Sequence, residues 1–156
     1  MGFSDILGNE RIKRILRKAL QRQRVPNSLL LSGPTGVGKI DFARTLAQAL
    51  NCLEMTDDAC GHCSSCLAIA KGNFPDVLQP VPEKEVLKVE QMRILKDTAY
   101  LKPMLGKKRV FILDRAERLN AAASNSLLKI LEEPPGFSHI LLLTANPFVI
   151  LPTIKS

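Results

Sequence analysis

The stretch Leu29-Leu30-Leu31-Ser32-Gly33-Pro34-Thr35-Gly36-Val37-Gly38-Lys39-Ile40 joins an unbroken apolar run to a glycine-rich turn ending in lysine, and a helical pattern follows at once. An apolar run that does not alternate with polar residues belongs to a strand buried on both faces, as in a parallel sheet covered by helices. Gly33 to Lys39 fits G-x-x-x-x-G-K in that strand, loop and helix setting. The glycines let backbone N–H groups wrap around phosphate oxygens, and the lysine reaches the terminal phosphates from the positive end of the following helix. Gly33, Thr35, Gly36, Val37, Gly38 and Lys39 are therefore the candidate nucleotide-binding residues. The motif normally closes on Ser or Thr, whose hydroxyl holds Mg²⁺; Ile40 occupies that slot and offers no oxygen.

Outward from this stretch, two more continuous apolar runs, Val110 to Leu113 and Ile140 to Leu143, predict further buried strands, and Val77 to Val81 a fourth. Ala43, Leu46, Ala47 and Leu50 repeat at helical spacing, as do Ser124, Leu127, Leu128 and Leu131 in a helix that starts near Asn120 and stops at Pro134-Pro135-Gly136. Glu90 to Ala99 reads as a helix with Met92, Leu95 and Ala99 inward, and Phe3 to Arg24 as one with Ile12, Ile15, Leu16 and Ala19 inward. Alternating strands and helices define an α/β fold.

The strand Val110 to Leu113 ends in Asp114, which suits the Walker B carboxylate that holds Mg²⁺ through water. Hydrolysing members of this class carry an acid next, to orient the attacking water, and Arg115 stands there instead. Glu117 follows, but three residues past a strand end its side chain is expected to point elsewhere. Two independent defects imply hydrolysis that is absent or very slow, so no catalytic residue is assigned.

The chain has 156 residues, a net charge of +7 and 46% hydrophobic residues, which suits one packed core and excludes a disordered basic tail. No apolar run approaches the roughly 20 residues that cross a bilayer, and residues 1–18 are amphipathic rather than leader-like; the sequence reading is a cytoplasmic protein with no membrane partner. With 4% aromatics and no Trp, readout of single strands by base stacking is not expected. Arg11, Lys13, Arg14, Arg17, Lys18, Arg22 and Arg24 make the first helix strongly basic, either as a solvated face or as a contact for an anionic partner such as DNA.

Cys52, Cys60, Cys63 and Cys66 fall within 52–66 in a C-x7-C-x2-C-x2-C spacing. Without a secretion signal the thiols stay reduced, and four clustered thiolates match tetrahedral structural Zn²⁺ with no open position for catalysis. Iron is the rival, since the last three copy part of a ferredoxin run without its Cys-Pro. His62 is expected to sit solvated between the ligands.

Taken together, Gly33 to Lys39, the cysteine insertion after it, Phe111-Ile112-Leu113-Asp114, Ser126-Leu127-Leu128-Lys129 to Leu131-Glu132-Glu133-Pro134-Pro135, and Leu143-Thr144-Ala145-Asn146-Pro147 resemble the bacterial DNA polymerase III clamp-loader AAA+ subunits. The resemblance implies a P-loop NTPase, RecA-like three-layer domain over residues 1–156 with a small zinc module inserted at 52–66, a fragment without the family's lid and collar domains. Thr144 and Asn146 occupy its sensor 1 region, where a polar side chain reads the γ-phosphate; the family's arginine finger lies in a Ser-Arg-Cys motif whose Arg is absent. Ile40 and Arg115 resemble the delta prime branch, a stator with a degenerate ATP site, more than the ATP-hydrolysing gamma/tau motor. Implied partners are the other subunits of a hetero-pentamer and, through it, the sliding clamp and primed DNA. The third reading is a P-loop zinc protein that binds nucleic acid.

Overall fold

A computed structural model describes residues 2–3, 10–32, 38–79, 89–133 and 136–145. The elements in chain order are α1 (Glu10–Gln21), β1 (Ser28–Ser32), α2 (Lys39–Asn51), α3 (Ser64–Ala70), β2 (Val77–Leu78), α4 (Val89–Ala99), β3 (Arg109–Leu113), α5 (Ala121–Glu132) and β4 (Ser138–Thr144). Among the described residues four strands form one sheet in the order β1-β4-β3-β2, and every pairing is parallel. Leu29, Leu30 and Leu31 lie beside Leu141, Leu142 and Leu143, while Phe111 and Ile112 lie beside Ile140 and Leu141 on the other flank of β4.

The unbroken apolar runs have a direct structural reason. Val110, Ile112, Leu141 and Leu143 pack on one face with α1, α2 and the cysteine region; Phe111, Leu113, Ile140 and Leu142 pack on the opposite face with α4 and α5. Successive residues of a strand point to opposite faces, so both parities must be apolar when both faces are covered. Met92, Leu95 and Ala99 of α4 are buried as their spacing predicts. In α5 the buried line is Ala123, Leu127 and Ile130, shifted by about one residue from the expected one, and Asn120 caps the helix by accepting from the Ala123 N–H at 2.8 Å.

The first helix departs from its sequence pattern. It ends at Gln21 rather than Arg24, positions 4–9 of the expected helix lie outside the described residues, and its buried line is Lys13, Leu16 and Leu20. Ile12 and Ile15 are 45% and 56% exposed, whereas Lys13 is 5% exposed and pairs with Glu10 at 3.2 Å. Lysine's long alkyl stem lies along apolar surface with its ammonium at the edge, so a basic residue takes an inward position that counting apolar types misses. Phe3 lies outside the helix, fully buried, with its ring 5.3 Å from Phe42 and its N–H on Asp58 at 2.8 Å.

Strand β2 is two residues long rather than five; positions 80 and 81 of the expected strand lie outside the described residues. Two buried polar side chains hold the turn that leads from α4 into β3. Asp76 accepts the N–H groups of Met104, Leu105 and Gly106 at 2.6, 2.7 and 2.6 Å, and the Oδ1 of Asn51 accepts those of Lys107 and Lys108 at 2.9 Å each. Arg109, buried at the start of β3, reaches Asp76 at 3.4 Å and the Lys102 carbonyl at 2.8 Å. Burial alone would push the Asp76 carboxyl up, but the three N–H groups and Arg109 outweigh it and hold it below the usual carboxylate range.

Candidate functional site

The parallel sheet sends the ends of β1, β3 and β4 to one edge, where ligands of open α/β sheets bind. A cavity of about 580 Å³ opens there, lined by Gly38, Lys39, Ile40, Asp41, Asp114, Arg115, Glu117, Arg118, Leu143, Thr144 and Ala145. Gly38 precedes α2 with φ +82°, a left-handed conformation that glycine adopts without strain, and its carbonyl takes the first helical bond from the Phe42 N–H at 3.0 Å. The start of α2 and Lys39 therefore line the cavity at the helix's positive end. Asp114 enters from the end of β3, two strands away from β1, because β4 is inserted between them. Ile40 also lines the cavity, so the motif's hydroxyl position presents a branched alkyl group. Of the sequence-predicted nucleotide residues, Gly38, Lys39 and Asp114 come together here; Gly33, Thr35, Gly36, Val37 and Asn146 lie outside the described residues.

One expectation fails at this site. Glu117 does not point away: it lines the cavity, and its Oε2 accepts the Thr144 hydroxyl at 2.6 Å. The reason is the backbone after β3. Arg115 takes a left-handed conformation (φ 54°, ψ 53°), and the 3-10 turn Ala116–Arg118 then curls the chain back, carrying residue 117 over the strand ends. Spacing along an extended strand could not show this; an αL residue two positions before the carboxylate was the missing information.

The four cysteines form a second centre at the opposite end of α2, where Cys52 is the C-cap. Their Sγ atoms all lie within 4.8 Å of one another, with Cys60 to Cys66 at 4.0 Å, close to the roughly 3.8 Å edge of a tetrahedron built on 2.3 Å Zn–S bonds. Backbone N–H groups already point at the sulfurs: Met55 and Cys60 at Cys52, both at 3.4 Å; His62 and Cys63 at Cys60, at 3.4 and 3.2 Å; Cys66 at Cys63, at 3.4 Å. Burial raises the Cys63 thiol, but N–H groups of Leu53 and Cys66 outweigh it and bring it down to about 6, whereas burial pushes the Cys66 thiol up. Backbone N–H groups likewise hold the Cys52 thiol below its ordinary value, while burial raises Cys60, so two thiolates are favoured and the other two are costly without a cation, which is the chemistry of a site able to hold a metal. His62 is exposed, as expected, and its Nε2 lies 2.6 Å from Glu54. The region is tied to its surroundings by Asp57, which takes Arg17 at 2.9 Å, by Asp58 on Phe3, and by Gln48, which donates to the Cys66 carbonyl at 2.9 Å.

An all-parallel sheet with the last strand inserted between the first and third, a glycine-to-lysine helix start and an acid at the facing strand end together define a P-loop domain of the AAA+ class. Within that class the chain belongs to the family described as DNA polymerase III, delta subunit, which matches residues 8–156. The chain is 39% identical over 155 residues to the DNA polymerase III subunit tau/gamma of Haemophilus influenzae, covering 99% of this chain and 22% of that protein. The crystal structure of a DNA polymerase III gamma subunit-related protein from Thermotoga maritima superposes with a TM-score of 0.62 at 28% identity, over 94% of this chain and 42% of that one. RuvB of Thermotoga maritima shares the fold, with a TM-score of 0.53 at 18% identity over 92% of this chain and 40% of its own. The chain spans about a quarter of the length of the first curated relatives it matches. The relatives' names correspond to the gamma/tau branch, the alternative of the sequence reading, better than to delta prime. Among the described residues no helix is long and apolar enough to cross a membrane.

Proposed function

We propose that this chain is the nucleotide-binding-type domain of a DNA polymerase III clamp-loader subunit in a cytoplasmic replication machine, binding ATP in the cavity at the strand ends and turning it over far more slowly than a motor. The observation that carries this reading is the cavity that unites Lys39 and Asp114 across β4 while offering Ile40 where a metal-binding hydroxyl belongs. Gly33, Thr35, Gly36, Val37, Gly38 and Lys39 cradle the phosphates, with Asp114 and Asn146 beside them. The partners are the other subunits of a hetero-pentamer, the sliding clamp and primed DNA. In that assembly the chain serves its neighbours as a delta prime-type stator. The competing gamma/tau motor role is favoured by the names of the relatives, the stator by Ile40 and Arg115. Zn²⁺ on Cys52, Cys60, Cys63 and Cys66 holds the inserted region together and takes no part in turnover, since four protein ligands leave no open position.

The test is a titration with a fluorescent ATP analogue, with and without Mg²⁺, beside a steady-state phosphate-release assay. Saturable binding whose affinity ignores the cation, lost in Lys39→Ala, is the expected result. Turnover near one per second that depends on Lys39 would overturn the stator role and establish the motor; absence of binding would overturn the nucleotide reading itself.

A further inference from the structure

We propose that Glu117 is the carboxylate that activates water in this pocket, in the place that Arg115 leaves vacant, and that Thr144 positions it. The proposal rests on the nucleotide reading above and names the residue through which its slow turnover runs. Three observations meet at this side chain. The position directly after Asp114 carries an exposed guanidinium on a left-handed backbone, so it supplies no base. The 3-10 turn that follows returns Glu117 to the cavity shared by Lys39 and Asp114. The Thr144 hydroxyl donates to Oε2 at 2.6 Å, which fixes one carboxylate oxygen and aims the group from the end of β4, the strand between the two halves of the pocket.

A carboxylate held in this way accepts a water proton through its remaining oxygen. The water oxygen attacks the γ-phosphorus, and the bond from that phosphorus to the bridging oxygen breaks, with the electron pair leaving on the β-phosphate. Glu117 takes the water proton and passes it to the released phosphate, so the carboxylate is regenerated. Lys39 counters the charge on the phosphates, and Asp114, placed at the strand end, is not asked to move a proton.

A purely structural role, in which Glu117 only staples the turn to β4, makes different demands. Glu117→Gln keeps an amide oxygen to accept from Thr144 and removes only the basicity; Thr144→Val removes the hydroxyl, and Thr144→Ser restores it. The experiment is single-turnover hydrolysis of radiolabelled ATP with the full chain in excess, alongside thermal melting and the fluorescent-analogue titration. The expected result is a measurable slow rate that falls at least tenfold in Glu117→Gln with nucleotide affinity and melting temperature unchanged, falls in Thr144→Val, and returns to within about twofold in Thr144→Ser. Equal rates in wild type and Glu117→Gln, or no hydrolysis at all by a wild-type chain that binds the analogue, would overturn the assignment of Glu117. Loss of rate in Thr144→Val without rescue by Thr144→Ser would overturn the positioning role. A chain that binds no nucleotide fails the earlier reading instead, and the titration reads this separately.

Discussion

Gly106 sits where Asp76, Asn51 and Phe74 converge, and a Cβ there would meet Asn51 Oδ1 well inside contact distance and the Phe74 ring at 2.8 Å. Gly106→Ala must therefore displace the acceptor of two backbone N–H groups, and a loss of about 2 kcal/mol or more in denaturant unfolding is expected. His139 supplies a second residue-scale test. Burial holds its pKa below the ordinary 6.5 and Lys108 adds to this, against the Pro26 carbonyl at 2.9 Å, which pulls the other way. The unfolded chain takes up a proton below about 6.5 that the folded one refuses, so this contribution to stability is present above that pH and is lost as pH falls. The denaturant midpoint should drop between pH 7.5 and 5.5, and the drop should be smaller in His139→Gln; an equal drop in both would contradict it. Lys39, Asp114 and the four cysteines were legible as residues because their spacing carries their chemistry. Glu117 was not, because its orientation depends on the φ of Arg115, which no residue type encodes.

At the scale of elements, α1 shows where apolar counting runs out. Its inward line includes Lys13 and leaves Ile12 and Ile15 in solvent, so Leu16→Ala should cost about 2–4 kcal/mol whereas Ile15→Ser should change stability by no more than about 0.5. Urea unfolding of the two variants checks this, and a reversed order would restore the sequence reading. The strands and α4 were legible because burial on two faces or on one stripe leaves a periodic trace; α1 is governed by a lysine stem and by side chains from the cysteine region, which leave none. That region grips α1 through Asp57 on Arg17 and Phe3 through Asp58. With the proposed metal bound to these cysteines, a chelator should therefore raise amide hydrogen exchange in α1 and around Phe3 while leaving α5 unchanged, and uniform protection before and after would separate the cysteines from α1. Purified protein should contain one zinc per chain; stoichiometric iron would correct the metal.

For the whole molecule, the pocket is a product of strand order. β1 brings Lys39 and β3 brings Asp114, yet the two strands touch only through β4, whose register with β1 pairs residues more than a hundred positions apart. A chain ended before Ser138 keeps every described helix and both of those residues but should neither melt cooperatively nor bind nucleotide, as calorimetry and the analogue titration would show. The α/β class and its parallel sheet were readable from the apolar runs, while the insertion of the last strand between the first and third was not, because pairing order is decided by crossovers and not by composition. Synthesis feels this arrangement directly. The strand that must occupy the centre is the last of the four to leave the ribosome, so Phe111, Ile112 and the leucines of β1 wait without their neighbour while translation continues. A nascent chain in that condition exposes apolar surface and is prone to aggregate until β4 has been made.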